Sequence, residues 1–282
     1  MSSTTVAARV KLVRVTPAYR RIVLDNPPLN LMDPSIVLEF RQIVTTLEND
    51  DQVKVVVFES AVEGFFFNHS DFLAEADDLT DIPQGPTGLE AWPDVLVRLT
   101  RAPFVSISLI RGRATGNGSE LALACDMSFA SREQTLLSQW EVGAGLVAGG
   151  GPMARLARQV GRQRALEILL SADDITGADA ERMGYVNRAL PDAELDEYVD
   201  ALATRIATFD SWAIANTKRL VGDGCLPPDI EIGAGWGTFL ASSRRPAAQA
   251  KIGALLAHGL QKPGDTEDRL GLALGELGSS GS

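Results

Sequence analysis

Short apolar stretches and amphipathic stretches take turns along the first 190 residues or so, and the remainder carries helical spacing alone. Residues 10–15 and 21–24 alternate apolar with polar side chains, which predicts two strands joined by a turn around Thr16-Pro17-Ala18. Asp33-Pro34 follows a rigid Asp25-to-Asn30 connector and opens a helix, with Asp as the N-cap and Pro at the first helical position. That helix runs to about Glu48 and keeps Ile36, Phe40, Ile43, Val44 and Leu47 on one face. Residues 53–58 are nearly continuous and β-branched, the mark of a strand covered on both faces. Residues 78–93, with prolines, glycines and acids, read as a mobile loop, and 89–100 as a helix bent at Pro93. A buried strand at 104–110 leads into Arg113-Ala114-Thr115-Gly116-Asn117-Gly118-Ser119-Glu120, a strand end, a glycine-flanked turn and a helix starting near Gly118. Short strands are expected at 126–130, 135–138 and 185–189, and helices at 153–160, 162–171, 177–183 and 194–208. From Ser211 onward the pattern is helical with breaks at 222–228, Pro246 and Pro263, and 278–282 is low-complexity and expected to be disordered. Strand–strand–helix units recur without a clear sequence repeat. An α/β core with a helical appendage follows.

Composition narrows the function. The chain has 282 residues with 45% hydrophobic and 22% charged residues, ordinary for a globular protein with one large core. A formal charge of −11 argues against nucleic acid as a partner. Two cysteines, two histidines and no CxxC make a metal site improbable. With neither a signal peptide nor an apolar run of spanning length, a cytoplasmic protein with no membrane role is expected.

The turn at 116–120 is where chemistry would sit. Glycines flanking Asn117 allow a sharp turn, and a helix beginning there leaves N–H groups free to hold negative charge. Glu120 lies in that first turn, either as a dipole-matched helix residue or as an acid–base group beside a backbone donor. Glu141 follows a short strand beside Trp140. It is either a solvated loop residue or a desolvated acid with a raised pKa. Ser70, in Asn68-His69-Ser70-Asp71, carries an N–H that could converge with that of Asn117.

Several motifs, in order, resemble the crotonase (enoyl-CoA hydratase/isomerase) superfamily over about residues 10–220. They are Asn26-Pro27-Pro28-Leu29-Asn30-Leu31-Met32, the 53–58 strand, Phe66-Phe67-Asn68-His69-Ser70-Asp71-Phe72, the Gly112-to-Asp126 stretch, and Trp140-Glu141-Val142-Gly143-Ala144-Gly145. The resemblance implies a ββα spiral core over 1–195 and a C-terminal helical region, 196–282, that builds a homotrimer or hexamer. It further implies that the backbone N–H groups of Ser70 and Asn117 form an oxyanion hole for a thioester carbonyl. Glu120 and Glu141 match the family's two acids, and keeping both favours hydration of a 2-enoyl-CoA or the reverse. CoA would enter as part of an acyl-CoA substrate, with no metal or separate cofactor.

Three departures stand out. Asn68-His69 replaces a small pair, so His69 is either turned to solvent, or a helix cap, or an additional group reaching the substrate. Asn117 replaces a glycine and is expected to tolerate left-handed backbone there. The tail lacks the family's aromatic and basic CoA contacts, Arg244, Arg245, Lys251 and Lys262 being either substitutes or, in the favoured reading, a solvated helix face, while Lys218 keeps a familiar position. The His69 and tail departures motivate a second reading, a CoA-independent C–C bond hydrolase acting on β-diketones.

Overall fold

The computed structural model describes residues 8–74 and 81–279. Strands β1 (Val10–Arg14) and β2 (Tyr19–Leu24) form the expected antiparallel hairpin, with Val10 opposite Leu24. Helix α1 (Pro34–Glu48) starts as expected: the Asp33 carboxylate accepts from the amides of Ser35 and Ile36. β3 (Val55–Ser60) then pairs with β2, and β5 (Val105–Ile110), β7 (Met127–Ser131) and β10 (Arg188–Leu190) extend the sheet in parallel, in the order β1-β2-β3-β5-β7-β10.

A second sheet is made of the strands that follow each of these: β4 (Phe65–Phe67), β6 (Arg113–Thr115), β8 (Leu136–Ser138) and the antiparallel β9 (Ile175–Thr176). Each unit thus sends one strand to either sheet. Helices α2 (Ala91–Arg101) and α3 (Asn117–Ala124) complete the first two units. This is the ββα spiral.

The β-branched run at 53–58 has the two covers its composition requires. Val56 and Phe58 face the main core with α1, while Val55 and Val57 face the other way. There they meet Leu195, Val199 and Ala203 of α7 (Asp192–Ala207). The boundary expected at 195/196 falls inside this helix.

Between β8 and α7 lie a 3₁₀ turn (Glu141–Ala144), α4 (Pro152–Gln159), α5 (Arg162–Ser171) and α6 (Gly177–Met183). The tail is helical as read: α8 (Ser211–Cys225), α9 (Asp229–Ser243), α10 (Pro246–His258), α11 (Asp265–Asp268) and α12 (Leu270–Ser279). Lys218 fastens α8 to the core. Its ammonium lies 2.8 Å from Asp126 and donates to the Phe104 carbonyl, and burial holds its pKa below the ordinary lysine value.

Four local expectations change. Pro93 lies in the first turn of α2, where a missing N–H costs no intrahelical bond, so it starts the helix instead of bending it. The loop expected at 78–93 has its first residues, 78–80, outside the described set. Residues 85–89 are tied down, Thr87 bonding the buried Asp94 carboxylate through both its amide and its hydroxyl. The strand expected at 185–189 begins at Arg188, because the Tyr185 amide still closes the end of α6 on the Ala180 carbonyl. The low-complexity end continues α12 through Ser279, and residues 280–282 lie outside the described set.

Candidate active site

β4, β6 and β8 are parallel neighbours, with Phe67 beside Ala114 and Thr115 beside Ser138. Their carboxyl ends therefore open at one edge of the second sheet, the side on which such sheets hold ligands. Side by side they release residues 68–72, 116–120 and 139–141. The approach is close. A Cβ on Gly118 would lie 1.8 Å from the Phe67 carbonyl oxygen, so α3 starts hard against the end of β4.

The turn into α3 is made by Gly116, at φ +54°, whose amide donates to the Ser138 carbonyl at 2.9 Å. Asn117 itself is ordinary helix. The left-handed geometry expected of it is taken by Gly116, where no Cβ resists it.

Glu120 is buried, and its carboxylate is surrounded by donors. The Trp92 indole N–H reaches it at 2.8 Å, the Asn117 side-chain amide at 3.2 Å and the Gly150 backbone N–H at 2.5 Å. Its pKa is raised, burial outweighing Trp92, Gly150, Asn117 and Gly149, each of which pulls it back. Glu141, also buried, is unlike it. Its Oε2 has no hydrogen-bond partner among the described residues, and burial first, then the charge of Glu120, push its pKa up to about 8. The two acids therefore differ in their surroundings: Glu120 has donors that offset part of the cost of its burial, and Glu141 Oε2 has none among the described residues. The alternative of a solvated Glu141 is overturned by this burial, while Glu120 does lie in the first turn of α3.

Ser70 sits in a one-residue parallel bridge with Met32. The Met32 amide donates to the His69 carbonyl at 3.0 Å and the Asp71 amide to the Met32 carbonyl at 2.8 Å. In that pattern the Ser70 N–H points away from Met32. Its hydroxyl donates to the Asn117 side-chain oxygen at 2.9 Å, so Asn117 links Ser70 to Glu120.

His69 is neither turned to solvent nor a cap. It is 1% exposed, its Nδ1 lies 2.9 Å from the Ser70 carbonyl, and its Nε2 lies 3.1 Å from Glu267 of α11. Its ring centroid is 4.9 Å from that of Trp140.

All five residues singled out above, His69, Ser70, Asn117, Glu120 and Glu141, line one cavity. Its other walls are apolar, among them Phe72, Trp140, Leu146 and Trp236, and its volume is about 20 Å³. Among the described residues no group of three His, Cys, Asp or Glu side chains is placed to hold a metal ion. Among the described residues no helix is long and apolar enough to cross a membrane.

The family model described as enoyl-CoA hydratase/isomerase matches residues 18–224. The chain belongs to the enoyl-CoA hydratase/isomerase family, the crotonase superfamily. A Mycobacterium tuberculosis protein named as a probable enoyl-CoA hydratase is 30% identical over 221 residues, covering 76% of this chain and 77% of that one. The short-chain-enoyl-CoA hydratase of Clostridium acetobutylicum is 29% identical, covering 72% and 77%. A crystal structure of an inferred enoyl-CoA hydratase from Streptomyces avermitilis superposes with a TM-score of 0.90 at 37% identity, over 97% of this chain and 99% of that one. The chain is thus a crotonase-fold enzyme of the hydratase-like kind.

Trp92, the Gly149 and Gly150 amides, Gln261 and Glu267 are parts of this crotonase site that sequence reading missed. The run Gly149-Gly150-Gly151-Pro152 was visible as a helix start, but nothing local marked its amides as donors to an acid 30 residues earlier. Glu267 lies 198 residues from His69, in a tail without a motif.

Proposed function

We propose that the protein is a hydro-lyase that adds water across the double bond of a 2-enoyl-CoA thioester, or removes it in reverse. The observation that carries this reading is the unequal pair Glu120 and Glu141 in one cavity, beside the Ser70 and Asn117 amides. The two N–H groups hold the thioester oxygen as it gains charge, which lowers the barrier to the enolate. Glu120, acting as a carboxylate, takes a proton from water as the water oxygen bonds the β-carbon. Glu141, kept protonated, delivers a proton to the α-carbon. The proton gained by Glu120 passes back to Glu141, so the balance is one water added. Each step is carried by acids and amides of the chain, so CoA serves as part of the substrate and no further cofactor is called for.

Hydration of crotonyl-CoA, followed by loss of the enoyl-thioester absorbance, tests the reading. Glu120→Gln and Glu141→Gln should each lower turnover by about 100-fold or more, the scale of a lost general acid or base. Wild-type turnover by both variants would overturn it. The β-diketone hydrolase reading needs His69 as a free base, and both of its ring nitrogens are already engaged.

The protein assembles as a homotrimer or hexamer. Supporting this are Trp212 and Leu220 of α8 and Ile230 of α9, 74%, 62% and 80% exposed on helices that the core leaves mostly uncovered.

A further inference from the structure

Residues 68–72, which carry the Ser70 amide, are gripped from behind by two residues of the C-terminal tail. Glu267 accepts from the Asn68 amide at 3.0 Å through Oε2 and meets His69 Nε2 at 3.1 Å through Oε1. Gln261 donates to the Asp71 carboxylate at 2.5 Å and accepts from the Phe72 amide at 2.7 Å. The Gln261 N–H donates to Glu267 Oε1 at 2.6 Å and joins the two into one unit. The contacts fall on the residues either side of Ser70, whose own side chain turns to Asn117.

Two features argue that the unit is specific and not incidental. Glu267 and His69 are 0% and 1% exposed, so the polar atoms have given up water for these bonds and loss of one partner strands the other. Gln261 adopts φ +64°, a conformation that residues with a Cβ seldom keep, and its two side-chain bonds hold it there.

We propose that Gln261 and Glu267 are positioning residues for the oxyanion hole: the tail clamps residues 68–72 so that the Ser70 amide is held aimed at the substrate oxygen. The role rests on the hydratase reading of the site. It makes the tail a working part of the active site of its own subunit, beyond any part in assembly. His69 is then the rod of the clamp, bonded at one end to Glu267 and at the other to the Ser70 carbonyl.

The test compares Glu267→Ala, Glu267→Gln and Gln261→Ala with the exposed control Asp51→Ala, in the full chain. Kinetics on crotonyl-CoA are read beside hydrogen exchange of the peptide covering 66–73. Glu267→Ala should lower kcat by about 10- to 100-fold, as a small misplacement of a donor does, with KM within about threefold. Exchange at residues 68–72 should rise about tenfold or more, as it does where local structure opens. Glu267→Gln, which keeps an acceptor and adds a donor, should recover kcat to within about threefold of wild type, and Asp51→Ala should change nothing. An Ala variant that keeps kcat within about twofold, or that leaves exchange at 68–72 unchanged, overturns the proposal. If Glu267→Ala does not fold, Gln261→Ala is judged by the same criteria. If wild type does not hydrate crotonyl-CoA, it is the functional reading that fails. The exchange comparison then decides the clamp alone: raised exchange upholds it and unchanged exchange overturns it.

Discussion

Glu120 and Glu141 line the same cavity, yet the groups around them differ. Trp92 is the side chain that most clearly separates them, since its buried indole N–H bonds Glu120 at 2.8 Å and does not reach Glu141. Removing a hydrogen bond to a charged group costs about 1.5–3 kcal/mol. Trp92→Phe should therefore lower kcat on an enoyl-CoA by about tenfold or more, with near-native melting, since the ring keeps most of its packing. Retained activity in a folded Trp92→Phe protein would show that this donor does not matter. The raised pKa of Glu141 has a direction in pH. Its proton is present below about 8 and is lost as pH rises through that value. Activity should fall over the same range, and a pH–rate profile with no alkaline limb near 8 would contradict the role of proton donor.

At the level of elements, the site depends on how tightly α3 is seated against β4. Gly118→Ala would drive a Cβ into the Phe67 carbonyl oxygen, a backbone atom that cannot swing aside. Thermal unfolding should show a loss of about 1–3 kcal/mol or more, the range for overpacking a rigid site. An unchanged melting temperature would mean that the helix can slide. The contact between α11 and residues 68–72 has its own signature in acid. Burial alone would raise the pKa of Glu267, but the bonds and charge of His69, with the Gln261 and Asn68 donors, hold it below the ordinary 4.5. A carboxyl depressed by folding stabilises above its unfolded value, and the stabilisation is lost as pH falls through the folded one. Melting temperature should therefore drop more steeply below about pH 4.5 in wild type than in Glu267→Gln, and parallel curves would exclude the effect.

For the whole molecule, exposed apolar residues on α8 and α9 and a charge of −11 call for different behaviour in solution: charge keeps copies apart, and covered apolar area brings them together. Sedimentation should give three or six times the chain mass, and Trp212→Asp with Ile230→Asp should shift it towards one. A wild-type monomer would refute the assembly. Much of the architecture was legible beforehand because its causes are local. The Asp33-Pro34 cap, the β-branched 53–58 run and the glycine turn at 116–118 each state their structure within a few residues. His69 stayed open between solvent, a helix cap and the substrate, and Asn117 was given a backbone that Gly116 adopts, because burial and φ at these positions depend on what packs there. The chain by itself determined the elements, their order and the residue types able to carry acid–base work. The tertiary structure alone decided which of them meet. The parallel register of β4, β6 and β8 gathers Ser70, Asn117 and Glu141 at one edge, and partners as distant as Trp92 for Glu120 and Glu267 for His69 are chosen by packing. Periodicity reports which face of an element is apolar. It carries no information about which buried polar atom lies opposite, and that pairing sets the charge on each acid.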